Sequence, residues 1–313
     1  MAKQGSIPEV DIVIDHEAGV IREVHPPRLR NKKTHERRVN RGIYILLSVI
    51  SVIWLAPFVF LVLQSFRSYL TEDGGMVSYL LPKAFSLDNY RFLFEDGTYL
   101  RWYGNTLIIS LFCSVIQTGM VLSVSYVLSR LRFRGRRFIM NMILVLGMFP
   151  GFLTMIALYF LLKSLGLTQE GAIPGLILIY CASSGMGYYI SKGFFDTIPK
   201  SLDESARIDG ASRYYVFKKI IMPLAKPIVI YTILLGFMGP WGDYVFASYV
   251  AFGRSDSYNV AVGLYRWVNT LDYQGYFTRF CAGGVLVAIP ITALFLVMQR
   301  YYVEGVTGGA VKG

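Results

Sequence analysis

Six stretches of this chain are apolar for long enough to cross a lipid bilayer: 43–66, 105–129, 138–162, 172–195, 228–252 and 280–303. A hydrocarbon core about 30 Å thick takes about 20 residues of helix to cross. Strands of a membrane β-barrel would instead alternate in polarity over about 10 residues. The runs therefore predict an all-α membrane protein with six transmembrane helices. The fourth run is the most interrupted, by Ser183, Ser184, glycines and Lys192. Composition agrees, with 54% hydrophobic and 16% charged residues where soluble domains carry about 25% charge. Cys113, Cys181 and Cys281 all fall inside the runs, so they suggest no disulfide framework or metal cluster. Each reads as a small buried hydrophobe. About 40 mostly polar residues precede the first run, which is read as a retained anchor and not a cleaved signal peptide.

Charge orients the spans. With six crossings, both termini share a side with the loops at 130–137 and 192–227. That side carries 23 Lys and Arg against 8 on the other. Positive residues mark the cytoplasmic face, so both termini are expected in the cytoplasm of a bacterial cell, the protein being a multi-pass component of its inner or plasma membrane. Residues 1–40 form a basic tail with no clear periodicity, expected to be disordered; residues 41–313 form the transmembrane domain. The cluster RLRNKKTHERR (28–38) lies just before the first span. It is read as a topology anchor touching anionic lipid, and no nucleic-acid partner is expected.

Between the fourth and fifth spans the chain turns abruptly polar. The stretch from Asp203 to Pro227 holds Asp203, Glu204, Arg207, Asp209, Arg213, Lys218, Lys219 and Lys226. Ser201 and Glu204 have the spacing of a capping box, which predicts a short helix to about Asp209. Gly210 then ends it, because glycine adopts the left-handed backbone that closes helices. Ser212 is placed to cap a second helix, on which Tyr214, Phe217 and Ile221 share a face at α-helical spacing. Pro223 and Pro227 interrupt that helix. Such a segment reads in three ways: a plain connector, a helix-turn-helix nucleic-acid reader, or a docking element. The second lacks the third helix that completes such a motif.

The third reading gains a specific resemblance. Glu204-Ser205-Ala206, three residues, Gly210, nine residues, then Ile220-Ile221-Met222-Pro223 resembles the EAA loop of bacterial ABC-importer permeases. It departs from that pattern at Ser205 and Met222. FSLDNYRFLF (85–94) with WYGNTLIIS (102–110), GMFPGFLTMIALYFLL (147–162), PWGDYVFA (240–247) and the ending FLVMQRYYVEGVTGGAVKG (295–313) are similar to segments of carbohydrate-importer permeases. The family, and within it the smaller six-span permease of maltose and maltodextrin importers, implies a type I permease fold with cytoplasmic coupling helices between spans 4 and 5. It implies a second permease subunit, two cytoplasmic ATPase subunits and an extracytoplasmic solute-binding protein as partners. Glu204, Ser205, Ala206, Asp209, Gly210, Tyr214, Phe217 and Pro223 are then the residues expected to couple to the ATPase.

The sequence holds no G-x-x-x-x-G-K-[ST] phosphate loop, so ATP and Mg are expected on the partner ATPase. This chain is expected to be a transporter subunit and not an enzyme, with no cofactor of its own. An ion-coupled secondary transporter is the competing class, since such proteins carry ionisable groups inside their spans. Asp243 is the one carboxylate well inside a run; it reads either as a cavity-lining group or as an acid satisfied by neighbouring hydroxyls or amides. Trp241 and Tyr244 are candidates for stacking on a sugar ring, or else interface anchors. Pro57, Pro150 and Pro290 read as kinks. Maltodextrin is the expected substrate, with galacto-oligosaccharides next. The orientation is testable directly. Single cysteines placed at Ser6 or Gly308 are expected to be protected from membrane-impermeant thiol reagents in intact cells, and one at Asp256 to label; labelling at either terminus overturns the six-span arrangement.

Overall fold

A computed structural model of the chain describes residues 11–15, 20–24, 30–77, 79–182, 185–269 and 275–307. The chain divides into two units, Met1–Val59 and Phe60–Gly313. The first holds an antiparallel hairpin of β1 (Asp11–Asp15) and β2 (Val20–Val24), in register from Asp11 opposite Val24 to Asp15 opposite Val20. Regular pairing thus stands within the tail that was expected to be disordered. These are the only named strands among the described residues. The helix α1 (Arg30–Ser65) follows, with Val39–Ser65 its apolar part. At about 1.5 Å per residue that part is about 40 Å long, enough to cross with some tilt. The Ser51 hydroxyl donates to the Leu47 carbonyl at 2.7 Å, which keeps it satisfied in an apolar surrounding.

In the second unit, α2 (Asp88–Glu95) leads into α3 (Thr98–Arg130), a 33-residue helix. Then come α4 (Arg136–Gly147), α5 (Gly151–Ser164), α6 (Ala172–Ala182) and α7 (Gly185–Thr197). The polar stretch contains α8 (Ser201–Ile208), α9 (Arg213–Tyr215), a π-helical turn Val216–Ile221 and α10 (Met222–Leu224). The chain ends with α11 (Lys226–Gly242), α12 (Val245–Val250), α13 (Val260–Asn269) and α14 (Phe277–Thr307). Residues 308–313, most of the glycine-rich ending, lie outside the described residues, as do Ser183 and Ser184 in the fourth run.

The first, second, fourth and sixth runs become Val39–Ser65, Thr98–Arg130, Gln169–Thr197 and Phe277–Gln299, each long and apolar enough to cross. The third and fifth depart from single straight spans. Between α4 and α5 the axis turns by 102°, because Pro150 (φ −57°, ψ 119°) has no amide to continue the ladder and restricts Phe149 before it. The chain bends sharply just before the fifth run, by 83° between Arg213–Leu224 and Lys226–Gly242. It opens again at Asp243 (φ −80°, ψ 99°), ending α11 well short of the predicted residue 252. Pro57 and Pro290, by contrast, lie within continuous helices.

The long helix α3 organises the second unit, packing against α6, α7, α11 and α13. One core gathers Trp102, Trp241, Trp267, Tyr99 and Phe237. The rings of Trp102 and Trp267 lie 5.2 Å apart, and the Trp102 indole donates to the Ser255 carbonyl at 2.9 Å. Outside the spans, the 66–97 segment is pinned by Asn89, whose amide donates to the carbonyls of Ser65 and Arg67 at 2.9 and 2.7 Å. Near it the Ser86 and Ser68 hydroxyls hold the Asp88 carboxyl below its ordinary range. Arg279, in the first turn of α14, is stacked by Tyr69 and Phe92, each 3.9 Å from the guanidinium carbon, a cation–π arrangement that ties this segment to the bundle. All three cysteines are free and buried, Cys113 and Cys181 with sulfurs 4.0 Å apart.

The α3–α13 contact depends on a missing side chain. A Cβ added at Gly263 would lie 1.9 Å from Cε3 of Trp102, and that ring is flanked by Trp267 and Tyr258. Overpacking of this kind costs about 1–3 kcal/mol. Gly263→Ala is therefore expected to lower the melting temperature of the purified protein in detergent. Gly239→Ala, where a Cβ meets nothing within 4 Å, is expected to leave it unchanged; equal melting of both variants would refute this packing.

Candidate functional site

The polar stretch folds as two short helices meeting at Gly210, but it starts earlier than the capping box predicts. The Asp203 and Glu204 amides donate to the Lys200 carbonyl at 3.0 and 3.1 Å, and that of Leu202 to Pro199. Lys200 is the N-cap, no side chain caps the helix, and Ser201 is its first helical residue. The rigid φ of Pro199 favours starting the turn here, so Glu204 and Ser201 do not pair. Instead Asp203 and Glu204 sit in the first turn, where the helix dipole favours negative charge.

At the other end the prediction holds. Gly210 has φ +82°. The Ala211 amide donates to the Ala206 carbonyl at 2.9 Å and the Gly210 amide to Arg207 at 3.1 Å, the paired bonds of a Schellman closure. Asp209 is the C-cap residue and is exposed. The Ser212 hydroxyl then accepts from the Tyr215 amide at 3.2 Å, capping α9 as expected.

The shared face of Tyr214, Phe217 and Ile221 does not form. Tyr214 is 68% exposed, while Ile221 is fully buried and Phe217 lies 4.7 Å from Tyr126 of α3. The reason is the π-helical turn Val216–Ile221: its i→i+5 bonding abandons the spacing that would align those residues. Pro223, exposed at the start of α10, cannot donate to the ladder. A second core of Leu122, Tyr126, Phe195, Ile198, Val216, Ile221, Ala225 and Ile228, with Ala206 and Phe217 packed against it, seats the loop on α3, α7 and α11. Asp203 faces Arg130, the last residue of α3, at 3.4 Å, their side chains only 15% and 4% exposed. Arg130 also donates to the Ile198 carbonyl at 2.9 Å. Losing one partner of so buried a pair typically costs about 3–5 kcal/mol.

What the loop presents to solvent is Ile208, 86% exposed, with Leu202, Tyr214 and Tyr215, around the exposed Glu204 and Ser205. Ile208, Leu202 and Tyr215 were not picked out from the sequence. The signal was there: an isoleucine and a leucine in a helix otherwise composed of Ser, Asp, Glu, Ala and Arg.

The second group surrounds the break at Asp243. Its carboxylate accepts from the Tyr180 hydroxyl and, at 3.0 Å, from the Phe246 amide. Its carbonyl accepts from the Asn259 amide at 2.7 Å, and Asn259 also reaches the Pro240 carbonyl at 3.2 Å. Asp243 is thus an acid satisfied by a hydroxyl and an amide, in a position that repairs an opened helix. Trp241 is enclosed by Tyr103 and Phe237 and is only 3% exposed, so its faces are not offered to a ligand. Tyr244 is half-buried and its ring is tilted by 37° against that of Tyr265, with centroids 3.9 Å apart. A separate hollow of about 280 Å³ lies among α3, α7 and α11, with Gln117, Tyr231 and Thr232 in its wall. Among the described residues no cluster of three His, Cys, Asp or Glu stands ready for a metal.

These features have close relatives. The galactooligosaccharides transport system permease protein GanQ of Bacillus subtilis (strain 168) is 37% identical over 275 residues, 86% of this chain and 94% of that protein. The maltodextrin transport system permease protein MdxG of the same organism is 34% identical, over 86% of this chain and 95% of its own length. MalD, the maltodextrin permease of Streptococcus pneumoniae (strain ATCC BAA-255 / R6), is 32% identical over 91% and 100%. A solved bacterial ABC transporter involved in the import of the acidic polysaccharide alginate superposes with a TM-score of 0.73 at 24% identity, covering 89% of this chain and 99% of that one. Residues 116–307 match the binding-protein-dependent transport system inner membrane component family. The chain belongs to that family of ABC-importer permeases, and the relatives named here are its carbohydrate importers.

Proposed function

We propose that this chain is the smaller permease subunit of an ATP-driven oligosaccharide importer, forming half of the translocation pathway together with a second permease. Two cytoplasmic ATPase subunits would dock on the loop between Pro199 and Pro227, and an extracytoplasmic solute-binding protein would deliver the sugar. The observation that carries the docking reading is the division of the loop's residues. Phe217, Ile221, Val216 and Asp203 are spent on α3, α7 and α11, while Ile208, Leu202, Tyr214 and Tyr215 are left outside. Exposed apolar and aromatic residues grouped on a rigid support are the anchors a protein partner fills its pockets with. A connector would have no use for such a mount.

The mechanism follows from that rigidity. Closure of the ATPase pair on ATP and Mg would displace the loop; the loop would carry α3 and α11 with it, because its inner side is part of their core. Rocking of two such permeases about a central path exchanges access from one face to the other. The ion-coupled alternative needs a titratable group free to exchange its ion. Asp243, its candidate, is already engaged by Tyr180 and Phe246. For the substrate, the third-span resemblance supports maltodextrin, and the identity to GanQ supports galacto-oligosaccharides. Assaying the solute-binding protein encoded beside this chain against both sugars separates the two.

The coupling role has its own test. A β-branched residue at Gly210 must adopt the left-handed region at a cost of about 1–2 kcal/mol, so Gly210→Val is expected to open the turn between α8 and α9. Ile208→Asp leaves the turn intact and removes an exposed anchor. Both variants are expected to insert in the membrane and keep the partner permease, yet to lose copurifying ATPase and sugar uptake together. Normal uptake by an Ile208→Asp transporter that retains its ATPase would reduce the loop to a connector.

A further inference from the structure

We infer that the end of α3 and the coupling loop together form a site for a phosphate group, the headgroup of an anionic phospholipid at the membrane surface. This goes beyond docking and concerns the cavity beside the docking face, with Glu204 common to both. The chain leaves α3 through Leu131–Gly135, where Gly135 (φ +89°) turns it into α4. Between that turn and the loop lies a cavity of about 420 Å³. Arg130, Arg132, Arg136, Lys200, Arg207 and Arg213 line it, against only two acids, Asp203 and Glu204. Six cations against two acids around one hollow repel each other, and an anion in their midst relieves that repulsion.

The buried member of the group has donors to spare. The Arg130 side chain is 4% exposed. Its Nη2 is used by the Ile198 carbonyl, but its Nε has no partner and its Nη1 faces Asp203 without a hydrogen bond. Both Asp203 carboxylate oxygens also lack a hydrogen-bond partner, so the ion pair does not consume the guanidinium. A buried donor left unmade is costly, and a phosphate offers several acceptor oxygens to a guanidinium's planar fork. A lipid is the source because of what adjoins the cavity. Phe133 in the turn and Phe138, Ile139 and Met142 on α4 are exposed large hydrophobics following directly on the arginines. Basic side chains beside exposed aromatic and aliphatic ones, where a span leaves the bilayer, suit a headgroup with its acyl chains alongside.

The test uses the complete purified transporter, titrated with phosphatidylglycerol or with phosphatidylcholine, with bound lipid counted by native mass spectrometry. Phosphatidylglycerol is expected to be retained preferentially. The double variant Arg136→Gln/Arg213→Gln is expected to bind it about tenfold or more weakly, as loss of charge-assisted contacts implies. Arg134→Gln, which removes the same kind of charge from the same turn but does not line the cavity, is expected to bind like the parent. Competition with inorganic phosphate then separates sources: displacement at millimolar concentration assigns the site to a free phosphate, and resistance assigns it to the lipid. Equal loss in Arg134→Gln, or no preference between the two lipids, would overturn the site. Lipid binding that appears only after the ATPase subunits are stripped away would instead give the cavity to an acidic side chain of that partner.

Discussion

A backbone amide or carbonyl in a hydrocarbon core finds no water, so every opening in a membrane helix must be closed by something the protein supplies. The fifth span shows how strictly this applies. Where α11 ends at Gly242, Asn259 donates to the carbonyls of Pro240 and Asp243, and the Asp243 carboxylate takes the Phe246 amide. Two side chains from separate segments restore what the helix gave up. An unsatisfied polar group there would cost several kcal/mol, so a carboxylate that looks extravagant in a span is the inexpensive choice. The bend at Ala225 is handled locally, its amide donating to the Ile221 carbonyl at 2.9 Å.

The same economy explains the loop. For all its polar composition, its inner half is continuous with the packing of α3, α7 and α11. Val216, Ile221 and Ala225 are buried with Leu122, Tyr126 and Phe195, so a displacement of the loop is a displacement of three spans. The Arg130–Asp203 contact adds a charged link at the same joint. It is a poor source of net stability, since burying two charges offsets most of their attraction, but a costly one to break. That combination favours a fixed geometry over a strong one.

Much of this was legible in the residues. Four of the six apolar runs correspond to stretches long and apolar enough to cross, and Gly210 and Ser212 adopt the turn and cap their types suggest. What escaped depended on residues far away or on a change of helical period. The opening at Asp243 is stabilised by Asn259, sixteen residues on, which no local pattern announces. Phe217 turns inward because the backbone widens to a π turn before Pro223, and a reading at 3.6 residues per turn places it outside. The capping box failed because Pro199 set the start of the helix first. The paired strands at 11–15 and 20–24 did have a local signal, since Ile12, Val13 and Ile14 precede Gly19 and Val20 and Ile21 follow it, and β-branched runs flanking a glycine suit strands.

The aromatic residues show why a site cannot be assigned from residue type alone. Trp241 and Tyr244 stand three positions apart in a segment similar to sugar permeases, and both ring systems suit a sugar face. One turn of helix separates their fates. Trp241 lies on the intact end of α11 and points into the core, between Tyr103 and Phe237. Tyr244 falls beyond the break, half-buried and held against Tyr265. Opening the helix at Asp243 leaves Tyr244 packed at the edge of the core that encloses Trp241. A break that Asp243 and Asn259 keep satisfied therefore does two things: it lets α11 end early, and it sets which aromatic ring is enclosed and which stays half-buried.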